Sequence, residues 1–149
     1  MSDTVSVRHA LNVGDVYGPS SWLEITQERI DSFADATDDH QWIHVDPERA
    51  KDGPFGGTIG HGYLTLALLP QASYEVVPRQ GGRMSINYGL NRVRFPSPVP
   101  VGSRLRASFE VLEVDTQDWG AQATMRATIE REGGEKPVCV AEIVFRYYT

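Results

Sequence analysis

Gly56-Gly57-Thr58-Ile59-Gly60-His61-Gly62-Tyr63-Leu64-Thr65-Leu66-Ala67-Leu68-Leu69 is the stretch on which the fold turns. Glycines and a histidine feed into a run with no charged residue from Tyr63 to Tyr74. Leu64, Leu68 and Ala72 form one helical stripe, while Leu66, Ala67 and Leu69 fill the other sides, and a helix that is apolar all round is expected to be buried. A dozen residues span roughly 18 Å, too short to cross a bilayer. The reading is a core helix that opens from a glycine-rich loop. Its first amides lack internal acceptors and carry the positive end of the helix dipole. Glycine lets a ligand approach that backbone closely, so the first turn is expected to form half of an active site.

Outward from that helix, 149 residues suit one domain, residues 1–149, with a substantial core. Met1-Ser2-Asp3-Thr4 is followed by no apolar run, so no signal peptide is expected, nor a membrane span. The single cysteine, Cys139, excludes an internal disulfide and fits the cytoplasm. Lying within an apolar strand pattern, it reads as an inert core thiol. A net charge of −6 argues against nucleic acid as a partner. An anionic ligand would have to rely on local arginines: Arg79, Arg83, Arg92, Arg94, Arg104 and Arg106, each of which also suits a solvated edge or loop.

Residues 1–10 read as a frayed terminus. Residues 13–17 and 22–25 form short extended pieces. Thr26 caps a helix running to about Ala36 through Ile30, Phe33 and Ala34, and Thr37-Asp38-Asp39-His40 ends it. Asp46-Pro47-Glu48 starts a short helix that Gly53-Pro54 stops. Pro70 is expected to bend or shorten the central helix. From Arg83 the period becomes two. Ile86, Tyr88 and Leu90 alternate, and Val93 and Phe95 follow in the opposite phase, which predicts a bulge in a curled strand. Leu105, Ala107, Phe109 and Val111 alternate with Arg106, Ser108 and Glu110. Ala121, Ala123, Met125, Ala127 and Ile129 repeat the pattern. Val138-Cys139-Val140-Ala141 and Ile143-Val144-Phe145, apolar on both faces, mark a central strand. A curled antiparallel sheet wrapped around one apolar helix covers both apolar faces. That is the hot-dog architecture, of class α+β.

Against this scaffold, Asp39-His40-Gln41-Trp42-Ile43-His44 places a carboxylate five residues before an imidazole in a turn-rich loop. A carboxylate takes or returns a proton, and an imidazole holds a water or shares the proton. Facing the central helix start, the pair would act beside the Gly62 amide as an oxyanion donor, a set suited to proton transfer next to a thioester carbonyl. Spacing alone leaves other readings open. Asp39 also suits a turn or helix cap, His44 a half-buried histidine bonded to backbone, and His61 a brace for its loop. No further His, Cys or Asp spacing suggests a metal site.

Residues 36–46, Ala-Thr-Asp-Asp-His-Gln-Trp-Ile-His-Val-Asp, resemble the hydratase 2 motif Gly-Asp-x-Asn-Pro-Ile/Leu-His-x-Asp. Residues 54–64 resemble the family's Ile-x-His-Gly-Met/Tyr-Leu segment, at the right distance, and residues 86–103 resemble its third block. The chain is therefore similar, over about residues 11–147, to MaoC-like dehydratases, in the single hot-dog branch that includes nodulation protein N. The resemblance implies an (R)-specific enoyl-CoA hydratase, adding water across the C2–C3 bond of a trans-2-enoyl thioester. It implies Asp39 and His44 as the water-activating pair and Gly62 as the amide that binds the thioester oxygen. Gln41, His61 and Tyr63 flank these positions and are candidate substrate contacts, and charge alone suggests Arg92 and Arg94, with Arg79 and Arg83, for the CoA phosphates. The resemblance also implies a homodimer joined sheet edge to sheet edge, an acyl-CoA or acyl-carrier thioester as substrate, and no separate cofactor. The apolar last strand is the expected edge.

Two departures stand out. The family's Asn-Pro is Gln41-Trp42, and Asp38 replaces the common glycine before Asp39. The nearest alternative, a hot-dog thioesterase, commonly carries an acid on the central helix; here the first acid after Gly62 is Glu75. The acyl-carrier-protein dehydratases likewise use a helix glutamate. A non-catalytic acyl-thioester-binding subunit is the reading from a different class.

Overall fold

The structure, a computed structural model, describes residues 11–149, and the frayed terminus expected over residues 1–10 lies outside them. In chain order it has β1 (Val16–Tyr17), β2 (Leu23–Glu24), α1 (Gln27–Thr37), α2 (Trp42–Val45), α3 (Pro47–Ala50), α4 (Gly62–Ala67), α5 (Leu69–Val76), β3 (Met84–Arg94), β4 (Arg104–Gln117), β5 (Gly120–Arg131) and β6 (Cys139–Tyr148). The strands form one antiparallel sheet in the order β1-β4-β5-β6-β3, with β2 also paired to β4. α4 and α5 lie against the strands of that sheet. The class is α+β, with the expected sheet wrapped around the expected helix.

Alternation decides which face each strand buries. Leu105, Ala107, Phe109 and Val111 of β4 point inward and are almost fully buried, as are Ala123, Met125, Ala127 and Ile129 of β5. On the other face Arg106 pairs with Glu130, Arg104 with Glu132 and Arg126 with Glu110. These cross-strand partners occupy two of the arginines considered for anion binding. β6 sits between β5 and β3 and is buried on both faces at Ile143, Val144 and Phe145. Cys139 is fully buried, and that burial pushes its thiol up to about 11. A thiol held that high stays protonated at neutral pH.

One expectation is met and two are corrected. Pro70 is expected to bend or shorten the central helix, and the helix is divided in two at Leu68. Pro70 has no N–H for the Leu66 carbonyl, and the Leu68 N–H reaches back only three residues, to the Thr65 carbonyl at 3.2 Å. The helix is also buried on one side only: Tyr63 and Tyr74 are 73% and 78% exposed, with Ala67 and Gln71 on the same stripe. The second correction concerns β3, whose alternating apolar residues are not covered. Met84, Ile86, Tyr88 and Leu90 are all exposed, because β3 is the sheet's terminal strand. The free edge is therefore β3, and β6 is interior. The expected bulge is present, with register shifts at Asn87/Gly89 and Leu90/Arg92.

Candidate active site

The segment after α1 is built by local chain chemistry. Thr26 caps α1, its hydroxyl accepting the Arg29 N–H at 3.1 Å. The helix ends at Thr37 with Asp38 in the left-handed region at φ 60°, the only non-glycine residue there among those described. Glycine adopts that conformation freely, whereas a β-carbon costs about 1–2 kcal/mol, with Asp and Asn the best tolerated. This accounts physically for the glycine of the hydratase motif. It also sets an expected result: Asp38→Gly keeps stability within about 1 kcal/mol, whereas Asp38→Val lowers it by about 1–2 kcal/mol in urea titration. The cap is Asp38, not Asp39.

Residues 39–44 are not all loop, as expected from their composition: Trp42 opens a single helical turn, α2, that carries His44. Trp42 stands at the first helical position, where proline is favoured. In place of proline's fixed φ it has packing: the Arg49 guanidinium lies 4.4 Å from its ring centre, and its ring sits where a β-carbon on Gly53 would come within 3.1 Å. A side chain at Gly53 would crowd the indole.

His44 is buried, and its Nδ1 lies 2.7 Å from the Ile59 carbonyl oxygen. A carbonyl can only accept, so Nδ1 carries the proton and Nε2 of the neutral ring is an open acceptor. Burial lowers the His44 pKa, and the nearby His61 adds to that, against the raising effects of the Ile59 bond and Asp39. The ring is therefore neutral at pH 7. His61 stacks on His44 with ring centres 3.8 Å apart and meets Phe33 at 4.9 Å. Its Nε2 donates to the Asp39 carbonyl at 3.0 Å, so His61 does brace the loop. Its Nδ1 is buried without a partner. His40 points elsewhere, to Asp35 at 2.9 Å.

These constraints bring the acid and the imidazole together. One carboxylate oxygen of Asp39 and one ring nitrogen each of His44 and His61 lie within 4.8 Å of one another. A water giving one hydrogen bond to each of two acceptors spans about 4.5 Å. Asp39 is exposed, with Oδ1 accepting only a long 3.4 Å bond from the Gln41 N–H. The same donor set offers three ligands to a cation, one fewer than a structural zinc site uses.

Gly62 starts α4 directly after His61, and no side chain caps this helix. The first intrahelical bond, from Thr65 N–H to the His61 carbonyl, leaves the amides of Gly62 and the next residues without helical acceptors. A β-carbon on Gly62 would sit 3.1 Å from the Phe95 ring, so the Gly62 Cα packs closely against that aromatic side chain. Tyr63 packs edge-on to Phe95 at 6.4 Å. Arg92 and Arg94 lie on exposed β3, where Arg94 donates to its neighbour's carbonyl, and Gln41 is exposed at the start of α2. Two open grooves flank the helices, the smaller mostly apolar and the larger mixed, with Ser73, Arg79 and Asn87 in its lining. One, of about 290 Å³, begins on Leu66 and Ala67 and is walled by Tyr88 and Leu90. The other, of about 580 Å³, continues past Pro70 and Asn87 to Val77 and Gly82.

Two residues to which the sequence reading gave no role prove central. Gln27 and Thr58 hydrogen-bond at 2.6 Å, and Gln27 donates to the His44 carbonyl at 2.8 Å. Nothing in the sequence singled them out, since a polar residue in a helix's first turn and a threonine inside a glycine loop are both ordinary.

Residues 9–136 match the family model described as MaoC like domain. The chain is 55% identical over 139 residues to 3-hydroxyacyl-thioester dehydratase Z of Mycobacterium tuberculosis, covering 93% of this chain and 92% of that protein. It is 46% identical over 134 residues to nodulation protein N of Rhizobium leguminosarum bv. viciae, covering 87% and 82%. Among solved structures, the (R)-hydratase from A. caviae involved in PHA biosynthesis superposes with a TM-score of 0.77 at 26% identity, covering 93% of this chain and 98% of that one. Among the described residues no helix is long and apolar enough to cross a membrane.

Proposed function

The chain belongs to the MaoC-like dehydratase family, and from that premise we propose that it reversibly adds water to trans-2-enoyl thioesters as an (R)-specific enoyl-CoA hydratase. The observation that carries this reading is the placement of the Asp39 carboxylate and the His44 ring within 4.8 Å, beside the uncapped start of α4. A water between them donates one proton to Asp39 and one to His44 Nε2, which leaves an oxygen lone pair for the substrate. As that oxygen bonds to C3, the π electrons move toward the thioester oxygen, which accepts a hydrogen bond from the Gly62 amide. Asp39 takes the water proton and passes it to C2, so the elements of one water enter the product and the enzyme ends as it began. The amide is worth most where charge gathers on oxygen. The chemistry requires no redox group or metal.

The (R) configuration is supported by likeness to a solved (R)-hydratase, not by geometry. The groove that begins on Leu66 and Ala67, one turn beyond the Gly62 amide, suits the acyl tail. The thioesterase reading loses its acid, since the Glu75 carboxylate accepts both the Ser21 N–H and the Ser21 hydroxyl. Crotonyl-CoA separates the classes. Hydration lowers the enoyl absorbance without freeing thiol, hydrolysis frees thiol, and a binding subunit does neither.

We also infer a homodimer, joined through β3 because that strand is an unpaired edge with exposed Ile86, Tyr88 and Leu90. Light scattering is expected to give twice the chain mass of 16.6 kDa, and Leu90→Lys is expected to shift it to the monomer. A monomeric wild type at tens of micromolar would remove the dimer.

A further inference from the structure

We propose that Gln27 is a positioning residue that aims the His44 imidazole by holding both of its supports through one side-chain amide. The proposal rests on the reading of His44 as the water-binding base. Gln27 Nε2 has two protons, and both are used: one goes to the His44 carbonyl at 2.8 Å and one to Asp31 Oδ1 at 2.9 Å. Its Oε1 accepts the Thr58 hydroxyl at 2.6 Å. Two acceptors on one side and a donor on the other fix which way the amide faces, since the reverse would set oxygen against a carbonyl and a carboxylate. Thr58 is 2% exposed and precedes Ile59, whose carbonyl receives the His44 Nδ1–H. The Ile59 N–H returns to the Ile43 carbonyl at 3.0 Å, closing the circuit.

The imidazole therefore has two anchors, its own main chain and the carbonyl opposite Nδ1, and Gln27 ties them together. This task is separable from folding α1, because the cap of that helix is Thr26. Nothing else among the hydrogen bonds of the described residues links the His44 carbonyl to the Thr58 side chain. Removing the amide leaves both segments in place by their own backbone bonds but frees the angle between them.

Gln27→Glu keeps the shape and replaces both donors with oxygen facing two acceptors, whereas Gln27→Met keeps the length and removes every bond. Thr58→Ser retains the hydroxyl and Thr58→Val removes it. Each variant is assayed for kcat and KM with crotonyl-CoA, and its His44 Nδ1–H is followed by proton–nitrogen NMR without substrate. Both Gln27 variants are expected to lose about 10- to 100-fold in kcat, with KM within about threefold and the Nδ1–H resonance shifted or broadened by exchange. Thr58→Ser is expected to match wild type in both readouts, and Thr58→Val to fall between. Wild-type kcat in either folded Gln27 variant, or a fall in kcat with an unmoved Nδ1–H, overturns the proposal. If Gln27→Glu fails to fold, Gln27→Met and the threonine pair decide, and equal behaviour of Thr58→Val and Thr58→Ser overturns it. A wild type that does not hydrate crotonyl-CoA counts against the hydratase reading, while the NMR arm still decides whether Gln27 holds the ring.

Discussion

Asp39→Asn is expected to lower kcat for crotonyl-CoA hydration by about 10³-fold, or about 4 kcal/mol in barrier. KM should change little, because the lost step is proton movement rather than thioester binding. The amide has nearly the shape of the carboxylate and can still accept the Gln41 N–H through Oδ1. What it cannot do is take the water proton and deliver it to C2. With Oδ1 kept by Gln41, the substituted amide would also turn an N–H toward the water in place of an acceptor, so the water loses its orientation with its base. Asp39 is exposed and its carboxylate makes no ion pair among the described residues, so the melting temperature should stay within about 2 °C. A folded Asp39→Asn protein with wild-type turnover would take the carboxylate out of the mechanism and leave the site a binding pocket.

Much of this site was readable because its parts depend on local chain chemistry. The Thr26 cap, the turn after Ala36 and the glycine entry to α4 each follow from residues within a few positions of one another. The alternation in β4 and β5 was equally legible, since every second residue meets the core of the same chain. What was not legible depended on partners distant in sequence. The turn of α2 is too short to carry a periodic signal, and it is held by Gln27 and by Ile59, 17 and 15 residues from His44. Nothing in the spacing of Gln27 to Thr58, 31 residues apart, announces a hydrogen bond. β3 misled for another reason. Its apolar alternation implies a covered face, but the chain alone supplies no cover, so a pattern read as core appears as an exposed edge. Tyr63 and Tyr74 misled in the same way, since an uncharged run reads as buried while both rings stand exposed.

His44→Ala is expected to lower kcat by about 10²- to 10³-fold and to alter the acid side of the pH profile. Burial holds the imidazole below its ordinary value of 6.5, so the wild type keeps a neutral ring, and turnover, at pH values where a solvent-exposed histidine would already be protonated. As pH falls through the folded pKa, Nε2 gains a proton and changes from acceptor to donor. The water then cannot bond to both partners, and wild-type kcat/KM should drop on that limb. The alanine variant has no such group and should lose the histidine component. Stability carries the same sign. Between the depressed folded value and 6.5 the unfolded chain binds more protons, so this stabilisation is present above 6.5 and is lost as pH falls through the folded value. His44→Ala should flatten that part of the stability curve, at the cost of the stacking with His61 and the bond to Ile59. Because those losses act on the fold, kcat is to be compared at temperatures where both proteins are fully native. An unchanged acid limb in the alanine variant would mean that the ring braces the loop and that the water is held by Asp39 alone.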